Sequence, residues 1–178
     1  MLPRSLLALI LLLASSTLAS CQPAGSEKLD ETLRFSGYVV DQARLLSDIE
    51  GQALTSRLGR FQRESGHQMA VVTVTSLHNE DIKAFSLTLA KRWGVGRKHF
   101  DDGILILIAP TERKARIEIG RGLERALPND ACQDVMDHAI LPSLRKGAYG
   151  EGIAAGVTAI IDRLATTERK AAERKIAA

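Results

Sequence analysis

The sequence predicts an α/β fold, a three-layer αβα sandwich around a mixed central sheet of about four strands. Three observations carry that expectation. Apolar stripes with helical spacing alternate with short β-rich runs in the order βαβαββαα, which suits helices on both faces of one sheet. Gly103-Ile104-Leu105-Ile106-Leu107-Ile108-Ala109 is unbroken and apolar, as in a strand buried on both faces. Pro110-Thr111-Glu112-Arg113 then separates that run from the alternating Ala115-Arg116-Ile117-Glu118-Ile119, which reads as the returning arm of a β-hairpin. The whole is Rossmann-like in layout.

The elements follow in order. Gly37–Asp41 reads as a short first strand. Ser47-Asp48-Ile49-Glu50 is a capping box, with the N-cap hydroxyl and the N3 carboxylate placed to satisfy each other's backbone donors. The helix that it opens carries Leu54, Leu58 and Phe61 on one stripe and stops at Ser65-Gly66, where glycine suits a left-handed cap. Gln68 to Thr75 is rich in β-branched residues. A second helix, capped by Asn79 or Asp81, lines up Ile82, Phe85, Leu89 and Trp93 and exits at Gly94. Asp130 to Ser143 reads as a helix that Pro142 bends or ends. Ile153, Val157, Ile160, Ile161 and Leu164 make a final stripe, with the basic stretch 166–178 as its helical extension.

The chain start carries a different signal. Arg4, a short apolar run from Leu6 to Ala14 and the small residues around Leu18-Ala19-Ser20-Cys21 have the form of a secretory leader over residues 1–20. The run is shorter than the roughly 20 apolar residues that a spanning helix needs. Leu-Ala-Ser-Cys resembles the lipobox of bacterial lipoproteins, in which the cysteine is acylated and becomes the mature N-terminus. Cys21 is therefore the expected lipidation site, and ordinary cleavage nearby is the alternative. Residues 21–36 then form a flexible tether that holds the domain within tens of ångströms of a bilayer. The expected location is the cell envelope, and the periplasmic face of the outer membrane in a Gram-negative host.

What remains, roughly 160 residues, is one domain with a sizeable core. Composition agrees, at 45% hydrophobic and 25% charged. The formal charge of +3 owes one unit to Arg4 and more to the tail, where Arg169, Lys170, Arg174 and Lys175 outnumber Glu168 and Glu173. The domain between is close to neutral, which gives no basis for a nucleic-acid partner. Beyond Cys21 the only thiol is Cys132, expected to fill core space.

Motifs for common chemistries are missing: no Gly-x-Ser-x-Gly, no His-Glu-x-x-His, no Cys-x-x-Cys and no P-loop. Gly94-Val95-Gly96-Arg97-Lys98 reads as a helix exit, and the glycines of Gly150–Gly156 as helix-packing positions. His67, His78, His99 and His138 are scattered and read as surface or satisfied histidines. Acidic residues are the informative feature. Asp101 and Asp102 precede the buried strand, Glu118 ends the returning strand and Asp41 closes the first. Oxygen ligands of this kind suit hard cations such as Ca²⁺. Asp-Gly is also turn chemistry, which is the competing reading of Asp101-Asp102-Gly103.

Five ordered blocks carry a family resemblance. They are Val40-Asp41-x-Ala43-x-Leu45-Leu46-Ser47, Asp101-Asp102-Gly103-Ile104-Leu105-Ile106-Leu107, Arg116-Ile117-Glu118-Ile119-Gly120-x-Gly122-Leu123-Glu124, Ile140-Leu141-Pro142 and Tyr149-x-x-Gly152-Ile153. From about Gly37 to Leu164 the chain resembles the TPM domain family, named for a thylakoid lumen phosphatase, a photosystem II repair protein and a modulator of levamisole receptors. The resemblance implies a TPM domain over 37–165 and an exported, membrane-tethered protein. It implies a divalent cation, Ca²⁺ ahead of Mg²⁺, at an acidic rim of Asp41, Asp101, Asp102, Glu118 and Glu124. It also implies an envelope protein partner and a role in membrane-protein assembly or maintenance. A weak metal-dependent phosphatase, with Arg116 or Arg121 facing the anion, is the alternative. The sequence departs from many bacterial members in lacking their transmembrane helix and glycine-rich tail.

Overall fold

The computed structural model describes residues 33–177. The leader, Cys21 and the tether as far as residue 32 lie outside the described residues. The elements are β1 (Val39–Asp41), α1 (Asp48–Ser65), β2 (Gln68–Thr73), α2 (Ile82–Trp93), β3 (Gly103–Ala109), β4 (Lys114–Ile119), α3 (Asn129–Val135), α4 (Leu141–Leu144) and α5 (Tyr149–Ile176). A 3-10 turn spans Arg121–Leu123, and a π-helical segment, Met136–Ile140, joins α3 to α4.

The sheet has the order β1-β2-β3-β4. β1, β2 and β3 are parallel, and β4 returns antiparallel to β3 with Ile117 opposite Ile106. Period-two alternation sends Met69, Val71, Ile104, Ile106 and Ile108 to one face, against Leu54, Leu58 and Phe61 of α1 and Ile153, Val157, Ile160 and Leu164 of α5. Ala70, Val72, Leu105 and Leu107 go to the other face, under Phe85 and Leu89 of α2. All seven residues of β3 are buried. Each such leucine or isoleucine contributes about 1.5–3 kcal/mol by leaving water. The three-layer sandwich is thus built by one two-faced strand.

β1 to β2 and β2 to β3 step in the same direction across the sheet, yet α1 and α2 lie on opposite faces. The two crossovers therefore have opposite hands, and one departs from the right-handed rule. The capping box forms, with the Ser47 hydroxyl accepting from the Glu50 amide and the Glu50 carboxylate accepting from the Ser47 amide. Asp81 caps α2 through the amides of Lys83 and Ala84.

Two expectations shift. β2 ends at Thr73, where its ladder with β3 stops, two residues short of Thr75. The helix expected over 130–143 is broken into α3, the π segment and α4. Pro142 has no N–H to offer the preceding turn, and its ring crowds the carbonyl four residues back. The Leu141 amide bonds instead to the Met136 carbonyl, five residues earlier, and the widened turn absorbs the misfit. Gly152 and Gly156 of α5 pack directly on Ile140 and Leu144, so a Cβ at either would collide. α5 continues to Ile176 and is exposed from Glu168 onward. Among the described residues, no helix is long and apolar enough to cross a membrane.

Strand direction decides which loops meet. The starts of β2 and β3 and the end of β4 share one rim, because Gln68 pairs with Gly103 and Ile119 with Ile104. Asp41 closes β1 beside Thr73, at the opposite rim.

Candidate functional site

The rim that gathers the ends of β3 and β4 is roofed by residues 95–102. This segment leaves α2 at Gly94, is tied down where the Gly96 amide donates to Gln68 Oε1 at 2.8 Å, and folds around Asp102. The Asp102 carboxylate accepts from the Arg97 amide (2.8 Å) and from Arg97 Nε (2.7 Å), and Arg97 Nη2 lies 2.5 Å from Oδ2. His67 Nδ1 sits 2.9 Å from the same oxygen, and its Nε2 is 2.9 Å from Glu168 Oε1 on α5. The Arg97 guanidinium also covers the Phe100 ring at 4.3 Å. Burial acts to raise the Asp102 carboxyl pKa, but the hydrogen bonds from Arg97 and His67 outweigh it and hold the group below the ordinary 3.8.

The segment lies flat because glycine occupies the places it crosses. A Cβ at Gly103 would run into the Val95 carbonyl, one at Gly120 into the Asp101 carbonyl, and one at Gly122 into the Phe100 carbonyl. The Gly122 amide donates to the Asp101 carbonyl at 2.8 Å and fixes the crossing. Between this strap, the end of α2 and the 3-10 turn opens a cleft of about 700 Å³, walled in part by Lys91, Lys98, Asp101, Glu118, Arg121 and Glu124.

The five acids expected at a common rim divide. Asp101, Glu118 and Glu124 line the cleft. Asp101 is exposed, 4.0 Å from Arg121. Glu118 accepts from Arg116 Nε at 2.7 Å and from the Ser86 hydroxyl at 3.0 Å, under α2. Glu124 is exposed just beyond the 3-10 turn. Asp102 belongs instead to the clasp with Arg97 and His67, where it is 2% exposed. Asp41 is at the far rim, where it accepts from the amides of Leu45 (3.0 Å) and Leu46 (2.9 Å) and from the Thr73 hydroxyl. The five acids thus do not share one rim: three line the cleft, Asp41 stands at the far rim because β1 runs parallel to β3, and Asp102 turns inward to Arg97 and His67. Among the described residues, no three metal-ligating side chains stand preassembled as a cluster. The cleft's carboxylate oxygens are hard-cation donors, and they share the walls with Lys91, Arg97, Lys98 and Arg121.

His67 is a satisfied histidine, as its sequence context predicts, but its partners were not legible. Asp102 is 35 positions away and Glu168 is 101 away. Cys132 is buried, with its thiol pushed up to about 11 by desolvation, which suits a core filler and not a nucleophile.

The model of the TPM domain matches residues 39–163. This chain belongs to the TPM domain family. Among solved structures, the N-terminal domain of a protein from P. gingivalis is similar at 33% identity, over 71% of this chain and 81% of that one, with a TM-score of 0.67. Two others share the fold at lower identity. The BA42 protein from the psychrophilic bacterium Bizionia argentinensis has 16% identity and a TM-score of 0.61, over 68% of this chain and 83% of its own. The N-terminal domain of a Corynebacterium glutamicum protein has 15% and 0.55, over 76% and 82%. No curated protein gives a significant match.

Proposed function

We propose that this TPM domain is a ligand-binding module that takes a divalent cation, Ca²⁺ ahead of Mg²⁺, in the cleft of Asp101, Glu118 and Glu124. The observation that carries the reading is that these three carboxylates, drawn from the β3 approach, β4 and the turn beyond it, open onto one cleft. The cation would replace the weak Asp101–Arg121 contact and draw Glu118 away from Arg116. Held near a bilayer by a lipid on Cys21, the loaded domain would engage an envelope protein and assist the assembly or upkeep of membrane proteins.

A weak metal-dependent phosphatase is the second reading. It is favoured by Arg121 on the wall of the same cleft, whereas Arg116 is held by Glu118. Turnover of a phosphomonoester that needs the metal and vanishes in Asp101→Asn would select that reading over pure binding.

Metal binding is tested by melting temperature with and without Ca²⁺. At about 100 times Kd a ligand stabilises by about 2.7 kcal/mol. That corresponds to a rise of roughly 5–10 °C for a domain of this size. Asp101→Asn/Glu124→Gln is expected to abolish the rise while leaving the metal-free melting temperature within about 2 °C, since both residues are exposed and few contacts are lost. An equal rise in wild type and variant would remove the cleft from consideration.

A further inference from the structure

A second cleft lies at the other end of the sheet, and unlike the first it has no carboxylate on its walls. It occupies about 650 Å³ between the tip of the β3–β4 hairpin and the corner where α4 turns into α5. Arg113, Lys114 and Arg145 line it, no carboxylate does, and its floor is apolar, with Ile108, Leu141 and Leu144 among its residues. Tyr149, the first residue of α5, contributes a phenol.

These cations are unspent, unlike the four arginines that hold acids elsewhere in the domain. Arg97, Arg116, Arg121 and Arg163 each face a carboxylate, namely Asp102, Glu118, Asp101 and Asp134. Among the described residues, Arg113, Lys114 and Arg145 form no ion pair, and the Tyr149 hydroxyl has no hydrogen-bond partner. Of the acids nearby, Glu112 is tied by Oε1, which accepts from the Ser76 hydroxyl (2.6 Å) and the Leu77 amide (2.8 Å), while its Oε2 is buried without a hydrogen-bond partner. Glu50, which packs on Gly150, is taken up by Ser47.

The corner that carries Arg145 is fixed by the Arg145 amide on the Leu141 carbonyl (3.0 Å) and the Ala148 amide on the Ser143 carbonyl (3.0 Å). At the hairpin tip, Arg113 keeps a left-handed backbone, φ 53°, where a glycine would sit without strain. The cleft also adjoins the carboxyl end of β3, and ligands of open α/β sheets bind outside the carboxyl ends of strands.

We propose that this basic cleft binds a phosphate group carried next to an apolar moiety. Two guanidinium forks and an ammonium outweigh the charge of a phosphate dianion and suit its oxygens in donor geometry. The phenol adds one more donor, and the Ile108–Leu141–Leu144 floor receives the organic part. Two sources share this chemistry, a free phosphate monoester and a phospholipid headgroup. The site is disjoint from the Asp101–Glu118–Glu124 cleft, so its fate is independent of the metal reading, and no turnover is required of it.

The test is a binding titration of the full chain with three probes: inorganic phosphate, phenyl phosphate, and phosphatidylglycerol vesicles compared with phosphatidylcholine vesicles. Saturable binding is expected, weakened at least tenfold by Arg113→Gln/Arg145→Gln at unchanged melting temperature. Lys170→Gln/Arg174→Gln, which removes the same charge from exposed α5, should change binding less than twofold. Saturation by phenyl phosphate identifies a free monoester, and saturation by the anionic vesicles alone identifies a headgroup. No saturable binding of any probe, or equal weakening by both double variants, overturns the proposal.

Discussion

Replacing Asp102 with asparagine should cost the domain about 2–4 kcal/mol at neutral pH. Breaking a buried, hydrogen-bonded ion pair by removing one partner typically costs 3–5 kcal/mol. The lower range allows for Arg97, whose side chain is 43% exposed and regains water. Asparagine keeps an acceptor for the Arg97 amide but turns an NH₂ toward the Arg97 guanidinium or His67 Nδ1, donor against donor. The damage should spread along the chain, because His67 hands the clasp on to Glu168 and so to the last turns of α5. The pH dependence follows from the lowered carboxyl pKa. A depressed carboxylate contributes stability that is fully present above its unfolded value, near 3.8, and is lost as pH falls through the lower folded value. Melting curves of wild type and Asp102→Asn should therefore differ widely at pH 7 and converge as pH drops below about 4. Equal melting at pH 7, or a gap that persists unchanged in acid, would show that Asp102 does not hold the strap.

Gly120→Ala should have the other large effect, more than about 3 kcal/mol, although it adds one methyl group. The new Cβ would collide with the carbonyl of Asp101 and crowd the amide of Asp102, both backbone atoms that cannot rotate away. The strap must lift, which breaks the Gly122–Asp101 hydrogen bond and opens the roof of the Asp101–Glu118–Glu124 cleft. Gly51→Ala is the matched comparison. Gly51 lies inside α1 with no heavy atom near its would-be Cβ, so the same change should stabilise by about 0.5–1 kcal/mol through helix propensity. Thermal or urea unfolding of the two variants reads opposite signs if the crossing is as tight as described. A neutral Gly120→Ala would mean that the strap has slack.

The layer architecture was legible because it depends on periodicity, and periodicity is local. An apolar run of seven could only be a doubly covered strand once helices were expected on both sides of it. The Ser47–Glu50 box and the Asp81 cap were equally local. The π segment was half legible: Pro142 announced a disturbance, but whether the helix would bend, break or widen depended on how Ile140 packs against Gly152 and Gly156. The acidic site was harder to read for a definite reason. Among parallel strands, acids share a rim only when they sit at the same kind of end, because a strand puts its two ends on opposite rims. Asp41 ends β1, whereas Asp101 precedes β3, and so they are separated by the length of the sheet. Asp101 and Asp102 look alike in sequence, while one faces solvent and the other points inward to Arg97 and His67. Burial distinguishes them, and burial at a loop depends on a partner 35 positions away. The basic cleft was not legible, because Arg113, Lys114 and Arg145 are scattered surface cations until the hairpin and the α4–α5 corner meet.

The cation site proposed for this domain is made by Asp101, Glu118 and Glu124. Amide chemical shifts recorded during a Ca²⁺ titration test it residue by residue. The largest saturable shifts should fall on 97–103 and 118–124, with 41–46 unmoved at the opposite rim, and Asp101→Asn/Glu124→Gln should erase them. Shifts centred on 41–46, or no saturable shift at millimolar Ca²⁺, would contradict it.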